Sequence, residues 1–213
     1  MTITDERRQH WQQVWTGKPA EQTSWFQPEP AMSLQLIDGL GLRKDAGLVD
    51  IGGGASLLVD RLLERGWRHV AVLDISEAAM TQAAERLGPL GDEVTWIESD
   101  ILDWRPVSGL FDVWHDRAVF HFLTRDEDRQ AYCRALTTAL VPGGIAIFAT
   151  FAPDGPDKCS GLPVQRYDAP ALSAILGNGF QLLDTRREEH LTPGGRPQAF
   201  TWCVFRRNQD DRC

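Results

Sequence analysis

The sequence lacks several features that would assign it to a specialised class of protein. Its 213 residues include four cysteines, none in a CxxC pair, which argues against a zinc site and a disulfide framework. No apolar run approaches the roughly 18 residues of a membrane span. The polar opening, MTITDERRQHW, lacks the apolar core of a signal peptide. These absences predict a cytoplasmic protein with no membrane partner and no bound metal.

An excess of positive charge is also missing. The formal net charge is -8, which argues against nucleic acid as a partner, because phosphate binding needs a concentrated basic surface. The hydrophobic fraction of 42% and charged fraction of 24% are ordinary for a soluble protein. The length suits one domain over residues 1–213, with an N-terminal helical lid segment (1–45) before a core (46–213).

Strands and helices alternate along most of the chain. Apolar strand patterns such as GLVDI and HVAVLD are each followed by helical patterns. This alternation predicts an α/β fold, a Rossmann-like doubly wound sheet with helices on both faces. The last two strand patterns flank the turn sequence TPGGRP, which predicts an antiparallel hairpin. Ligands of such sheets bind beyond the carboxyl ends of the strands.

A glycine-rich loop, DIGGGAS, follows the first strand. Gly52 and Gly54 can adopt positive φ and allow close approach of a ligand. A helix predicted to begin near Ala55 would point its N-terminal dipole at the same place. The NAD fingerprint needs a third small residue where this chain has Leu57, and no GKS or GKT follows to form a P-loop.

Acidic residues follow the next two strands. Asp74 lies 22 residues after Gly52, the spacing at which an acid accepts hydrogen bonds from the ribose of a nucleotide cofactor. Ile75 would then lie against the adenine ring. Asp100 and Ile101 follow the third strand in the same way.

Asp50 followed by the three glycines resembles motif I of the class I S-adenosylmethionine (SAM) methyltransferases, D/E-x-G-x-G, although Ser56 stands where many members have glycine. The resemblance covers nearly the whole chain. It implies a seven-stranded sheet of order 3-2-1-4-5-7-6 with strand 7 antiparallel, SAM as cofactor and S-adenosylhomocysteine as product. It also implies that Asp100 accepts from the adenine amino group and that the Ile101 N–H meets a ring nitrogen. The full set of implied cofactor contacts is Asp50, Gly52, Gly53, Gly54, Asp74, Ile75, Asp100, Ile101, His115 and Trp25.

The fourth strand leads into DRAVFHFL, which supplies the candidate catalytic residues Asp116, Arg117 and His121. The DRA segment resembles thiol and thiopurine methyltransferases, and also the DKG segment of elongation-factor lysine methyltransferases. Asp116 and His121 are candidate proton acceptors. Arg117 would orient an anionic acceptor or pair with Asp116. The alternative interpretation is structural: Asp116 caps the following helix and His121 packs inside it.

Two further segments are predicted to cover the site. The first is SWFQPEP, in which Trp25 would lie over the cofactor, Phe26 would contact substrate and Gln27 would add a polar contact. The second is the glycine- and proline-rich segment after the fifth strand, with Cys159 and Tyr167 as substrate contacts.

The sequence leaves the methyl acceptor open. A small molecule with a thiol or another soft nucleophile is the first choice, and a protein lysine is the alternative. Two other classes remain: an NAD-dependent oxidoreductase, disfavoured by Leu57 and the terminal hairpin, and a non-catalytic SAM-binding module.

Overall fold

A computed structural model describes residues 3–209, and a seven-stranded sheet forms its centre. The strands of this sheet, in chain order, are β1 (Gly47–Ile51), β2 (His69–Asp74), β3 (Val94–Glu98), β4 (Phe111–Arg117), β5 (Leu140–Phe151), β8 (Phe180–Leu191) and β9 (Pro197–Arg207). A separate small hairpin consists of β6 (Lys158–Cys159) and β7 (Leu162–Pro163).

Six α-helices accompany the sheet in the described part of the chain. They are α1 (Ile3–Gly17), α2 (Ala31–Gly39), α3 (Leu58–Glu64), α4 (Glu77–Leu87), α5 (Asp126–Ala139) and α6 (Ala169–Leu176). None of the helices within residues 3–209 combines the length and the apolar character needed to cross a membrane. Ser76 caps α4 as its side chain accepts a hydrogen bond from the Ala79 N–H, and Asp168 caps α6 in the same manner.

The sheet has the order β3-β2-β1-β4-β5-β9-β8. Strands β1 to β5 are parallel, and β9 runs antiparallel to both β5 and β8. Counted along the main sheet alone, this is the order 3-2-1-4-5-7-6, so the prediction is confirmed. The TPGGRP turn makes this arrangement possible because it returns the chain directly beside β8.

Side chains of β4 alternate between the two faces of the sheet. Trp114 packs in the core beneath α5 and α6, where its indole N–H donates to the Tyr132 hydroxyl at 2.8 Å. Val113 packs in the opposite core, beneath α2 and α3. His115 is on that second face as well, since it contacts Ser33 of α2. The alternation therefore places Asp116 with Trp114, and His115 and Arg117 on the other face.

One predicted boundary is wrong. Helix α3 begins at Leu58 and not near Ala55. The preceding residues form a turn in which the Ser56 N–H donates to the Gly53 carbonyl at 2.8 Å, and the Ser56 hydroxyl accepts from the Leu58 N–H at 3.1 Å. The glycine loop is therefore longer than predicted.

Candidate functional site

A cleft lies at the carboxyl ends of β1, β2 and β4, with α1 above it. It has two arms that meet at Ile51, Gly52 and Arg117. The wide arm, about 850 Å³ with its open mouth included, reaches Asp74 and Asp100. The narrow arm, about 570 Å³ measured in the same way, is lined in part by Ser33, Asp50, Gly53, Ser56 and His115.

The glycine loop forms the floor between the two arms. Gly52 and Gly54 have φ of 66° and 42°, in the left-handed region that favours glycine. A Cβ on Gly53 would lie 2.5 Å from Asp50 Oδ2, and one on Gly54 would lie 2.8 Å from Asp74 Oδ2. Any larger residue would push these two carboxylates out of place, so the loop requires glycine for conformation and for space.

Asp74 and Asp100 stand side by side at the far end of the wide arm. Asp74 Oδ1 accepts from the Ser76 N–H at 2.8 Å, and burial raises the pKa of the Asp74 carboxyl to about 7. Asp100 Oδ1 accepts from the Leu102 N–H at 3.0 Å. Asp100 Oδ2 lies 3.0 Å from Arg7 Nε but forms no aligned hydrogen bond with it. Asp100 Oδ2 is therefore ion-paired with Arg7 but accepts no hydrogen bond from the described residues.

Asp50 belongs to a buried polar chain at the narrow arm. His115 Nδ1 lies 2.7 Å from Asp50 Oδ1, and His115 Nε2 lies 3.0 Å from the Ser33 hydroxyl. The carboxylate must accept, so Nδ1 carries the proton. The three residues come from β1, β4 and α2, and together they hold Asp50 in one orientation beside the glycine loop.

Arg117 occupies the junction of the two arms. Its Nη1 donates to the Trp25 carbonyl at 3.0 Å, and its guanidinium lies 4.8 Å from the Phe200 ring centre. The Nε and Nη2 atoms are buried without a hydrogen-bond partner among the described residues. Burial lowers the pKa of Arg117, although a guanidinium stays charged at neutral pH.

Helix α1 covers the wide arm with Arg7, Trp11 and Trp15. The ring of Trp11 makes edge contacts with Trp25 at 6.0 Å and Phe122 at 5.1 Å, so aromatic side chains close the cleft from above. The role of Arg7 was missed by the sequence analysis. Its spacing of four residues before Trp11 and eight before Trp15 places all three on one helix face, and this pattern was the available signal.

The structure does not bring Asp116 and His121, two of the predicted catalytic residues, to the cleft. Asp116 is fully buried on the α5 face, where it accepts from the N–H groups of Val119 and Phe120 and from the Tyr132 hydroxyl. Burial raises the pKa of its carboxyl to about 6. These contacts agree with a structural role, but Asp116 holds the short turn at Val119 and Phe120 and does not cap helix α5 as the structural alternative predicted.

His121 is likewise buried away from the cleft. Its ring lies against Phe122 and Phe151, with centroids at 4.6 and 4.7 Å, and its Nδ1 accepts from the Phe151 N–H at 3.3 Å. Burial, with a smaller effect of the Arg117 charge, lowers the pKa of His121 to about 3. We therefore correct both assignments: neither residue is positioned to take a proton from a molecule in the cleft.

The covering residues are divided between cleft and core. Cys159 lines the wide arm, and burial raises the pKa of its thiol to about 11. Phe26 and Gln27 line the narrow arm. Tyr167 is packed in the α5 core against Phe120, at 5.5 Å between ring centres, so the structure does not place it in the cleft.

His190 stays outside the cleft as well, but its Nε2 donates to the Ser24 carbonyl at 2.9 Å and so holds the Trp25 loop. Within residues 3–209 no group of three or more His, Cys, Asp or Glu side chains is arranged to hold a metal ion. Cys213, one of the four cysteines, lies outside the described residues.

Residues 48–144 match the protein family described as a methyltransferase domain. Among curated proteins, the chain is 32% identical over 138 residues to thiocyanate methyltransferase 1 of Brassica oleracea. That alignment covers 63% of this chain and 58% of the plant protein, so the chain spans just over half the length of that relative.

Solved structures share the fold across nearly the whole chain. One is the Burkholderia thailandensis 1,6-didemethyltoxoflavin-N1-methyltransferase with bound S-adenosylhomocysteine, at TM-score 0.72 and 20% identity, covering 98% of this chain and 92% of that one. Another, from work on the conversion of a disulfide bond into a thioacetal group during echinomycin biosynthesis, has TM-score 0.77 and 19% identity, with coverages of 96% and 94%. Residues 48–144 are therefore similar to a methyltransferase domain, and nearly the whole chain shares the fold of solved SAM-dependent methyltransferases.

Proposed function

We propose that this protein transfers a methyl group from SAM to a small-molecule acceptor with a thiol or another soft nucleophile. The observation that carries the proposal is the pair of buried carboxylates, Asp74 and Asp100, at adjacent strand ends beside a glycine loop. The family match of residues 48–144 supports the choice of cofactor.

The residues present fit SAM. Asp74 would accept from the ribose hydroxyls, and Asp100 Oδ2, which is ion-paired with Arg7 but accepts no hydrogen bond from the described residues, suits the adenine amino group. Ile75 and Ile101 line the wide arm where the adenine ring would lie. The narrow arm, with Asp50 held by His115, would receive the amino-acid part of the cofactor. The glycines leave space where side chains would otherwise fill the floor.

SAM supplies an activated methyl group on a sulfonium sulfur, so the protein needs to align the acceptor and exclude water. Trp11, Trp25 and Phe122 would exclude water from the junction of the arms. Arg117 would face the acceptor there. With Asp116 and His121 outside the cleft, the proposal assigns no proton acceptor to either residue.

Several observations favour a small acceptor over a protein lysine. The wide arm is covered by aromatic side chains from α1 and the Trp25 loop, which suits a compact molecule better than a peptide segment. The cation at the junction, Arg117, would repel a lysine ammonium group. Both named relatives, the thiocyanate and the didemethyltoxoflavin methyltransferases, carry small molecules in their names.

Ligand binding and turnover test the proposal in two steps. In a thermal-shift assay, SAM and S-adenosylhomocysteine should raise the melting temperature, since a ligand at 100 times its Kd stabilises by about 2.7 kcal/mol, whereas NAD should have no effect. A screen of thiols, amines, carboxylates and lysine-bearing proteins then identifies the acceptor. Stabilisation by NAD alone would contradict the cofactor assignment. Binding of SAM without turnover of any acceptor would favour a non-catalytic module, and turnover of lysine alone would replace the small-molecule acceptor.

A further inference from the structure

Arg117 is a half-buried cation with two buried, unused donors. Only its Nη1 has a hydrogen-bond acceptor, the Trp25 carbonyl, while Nε and Nη2 are buried without a partner among residues 3–209. Glu188 is the strongest opposing charge. Its two oxygens are already taken by Gln27 Nε2 and Trp202 Nε1, each at 2.9 Å. Buried donors of a charged group are costly when unpaired, so these two N–H groups call for an anionic occupant.

The titratable neighbours of Arg117 outside the wide arm are Glu188, whose oxygens accept from Gln27 and Trp202, and two histidines, His121 and His190, whose pKa values are lowered by burial and by the Arg117 charge. The neighbouring wall of the wide arm consists of Trp11, Trp25, Val119, Phe122 and Cys159. The only titratable group among these five is the Cys159 thiol, which remains protonated at neutral pH because burial raises its pKa to about 11.

The carboxylates elsewhere in the cleft are engaged. Asp50 accepts from His115, whose other nitrogen contacts Ser33. Asp74 accepts from the Ser76 N–H, and Asp100 is ion-paired with Arg7. A molecule at the junction therefore meets a positive charge and aromatic surface, and the wall of the wide arm beside Arg117 supplies no base, since the carboxylates of the cleft are those assigned to the cofactor.

We infer that the methyl acceptor binds as a small soft anion, such as a thiolate, on Nε and Nη2 of Arg117, and that it arrives already deprotonated. The inference rests on the proposed methyl transfer and specifies its substrate class. A lone pair of the anion forms the new bond to the methyl carbon, and the electrons of the broken carbon–sulfur bond return to the donor sulfur. The positive and negative charges cancel, so no proton has to move. An ammonium acceptor is disfavoured for two reasons. The Arg117 charge would repel it, and it would have to lose a proton where the wall beside Arg117 supplies no base.

The test measures anion binding independently of turnover. para-Nitrothiophenolate, a thiol ionised at neutral pH, is titrated by calorimetry into the complex with S-adenosylhomocysteine. para-Nitrotoluene serves as its uncharged isostere and para-nitrobenzylammonium as the cation. We expect the thiolate to bind about tenfold or more tightly than either, as a charged hydrogen bond implies. Equal binding of the three probes to the unmodified protein would overturn the inference whether or not any variant folds.

The variants locate the contact. Arg117→Met should weaken thiolate binding by about tenfold to a hundredfold. Arg117→Lys keeps the charge without the planar guanidinium, so its thiolate affinity should lie between those of the unmodified protein and Arg117→Met. Affinity for S-adenosylhomocysteine should stay within about twofold. Arg187→Met is the matched control, because Arg187 is an exposed residue paired with Asp154.

Other outcomes assign Arg117 differently. If Arg117→Met weakens S-adenosylhomocysteine binding and leaves thiolate binding unchanged, the residue holds the cofactor carboxylate and the inference is overturned. Failure of the broader proposal is separate: thiolate binding that depends on Arg117, with no methylated product from any acceptor, would support the anion site and contradict the proposed transfer.

Discussion

Replacing Asp74 with Asn should weaken cofactor binding and stabilise the ligand-free protein at the same time. The side chain is buried, with 6% of its surface exposed, and its Oδ1 accepts from the Ser76 N–H. Asn keeps an oxygen for that bond and has no charge. The two effects have opposite signs because the carboxylate is costly to bury and useful to a ligand.

The gain in stability follows from the pKa of Asp74. Burial raises that pKa from 3.8 to about 7, with a smaller contribution from Asp50. At about 1.4 kcal/mol per pKa unit, ionised Asp74 lowers the free energy of unfolding by as much as about 4 kcal/mol above pH 7. We expect Asp74→Asn to recover about 2–4 kcal/mol at pH 8, a rise in melting temperature of about 4–16 °C for a chain of this size.

The pH dependence follows from the same shift. The folded protein holds this proton more tightly than the unfolded chain, so the contribution of Asp74 to stability is greatest below pH 3.8 and is lost as pH rises to about 7. The advantage of Asp74→Asn should therefore be larger at pH 8 than at pH 5. SAM affinity of the unmodified protein should fall below pH 7, because the protonated carboxyl is a weaker acceptor for the ribose, and the variant should lack this dependence.

The loss in binding is measured by calorimetry with SAM. A charge-assisted hydrogen bond is worth about 1.5–3 kcal/mol, so affinity should fall by about tenfold to 150-fold. Asp154→Asn is the matched control, since Asp154 is an exposed carboxylate paired with Arg187. It should change neither SAM affinity nor the melting temperature appreciably. A variant at Asp74 that melts lower at pH 8 and binds SAM as before would refute the reasoning.

Three further predictions concern the cleft and its support. Asp116→Ala should lower the free energy of unfolding by about 1–3 kcal/mol in denaturant titrations, because three donors lose their acceptor. SAM affinity should hold, and a loss of turnover without a loss of stability would restore a catalytic role. Ala118 has φ of 73°, so Ala118→Gly should be neutral or should raise the free energy of unfolding by up to about 1 kcal/mol. Ala152→Gly is the control, because Ala152 has an ordinary φ, and it should lower that free energy. Equal losses of stability in the two variants would show that Ala118 carries no backbone strain. His115→Leu should leave Asp50 without its donor, so the free energies of SAM binding and of unfolding should both fall by about 1–3 kcal/mol. If neither changes, the His115–Asp50 contact contributes to neither.

Local patterns were sufficient to predict much of the site. Asp74 and Asp100 follow apolar strands directly, and parallel strands bring their carboxyl ends to one edge, so both carboxylates were placed before any contact was known. The glycine loop was recognised in the same way, although the start of α3 was not, because a turn closed by Ser56 cannot be distinguished from a first helical turn by its apolar spacing.

Which face of β4 borders the cleft could not be predicted from the local sequence. Alternation separates His115 and Arg117 from Asp116, but nothing in the strand tells which face the cleft will occupy. That depends on α2, which supplies Ser33 to His115 from 82 positions away, and on the Trp25 loop, whose carbonyl meets Arg117 from 92 positions away.

Sequence by itself determined the order of elements and the acids at the strand ends, because each depends on neighbouring residues and on the general geometry of parallel sheets. Tertiary structure alone decided which polar groups share the cleft. Within residues 3–209 it paired Arg7 with Asp100, buried Asp116 and His121 elsewhere, and left two donors of Arg117 without hydrogen-bond partners. The physical reason is that burial and pairing are properties of contacts between distant segments, and only the folded chain brings those segments together.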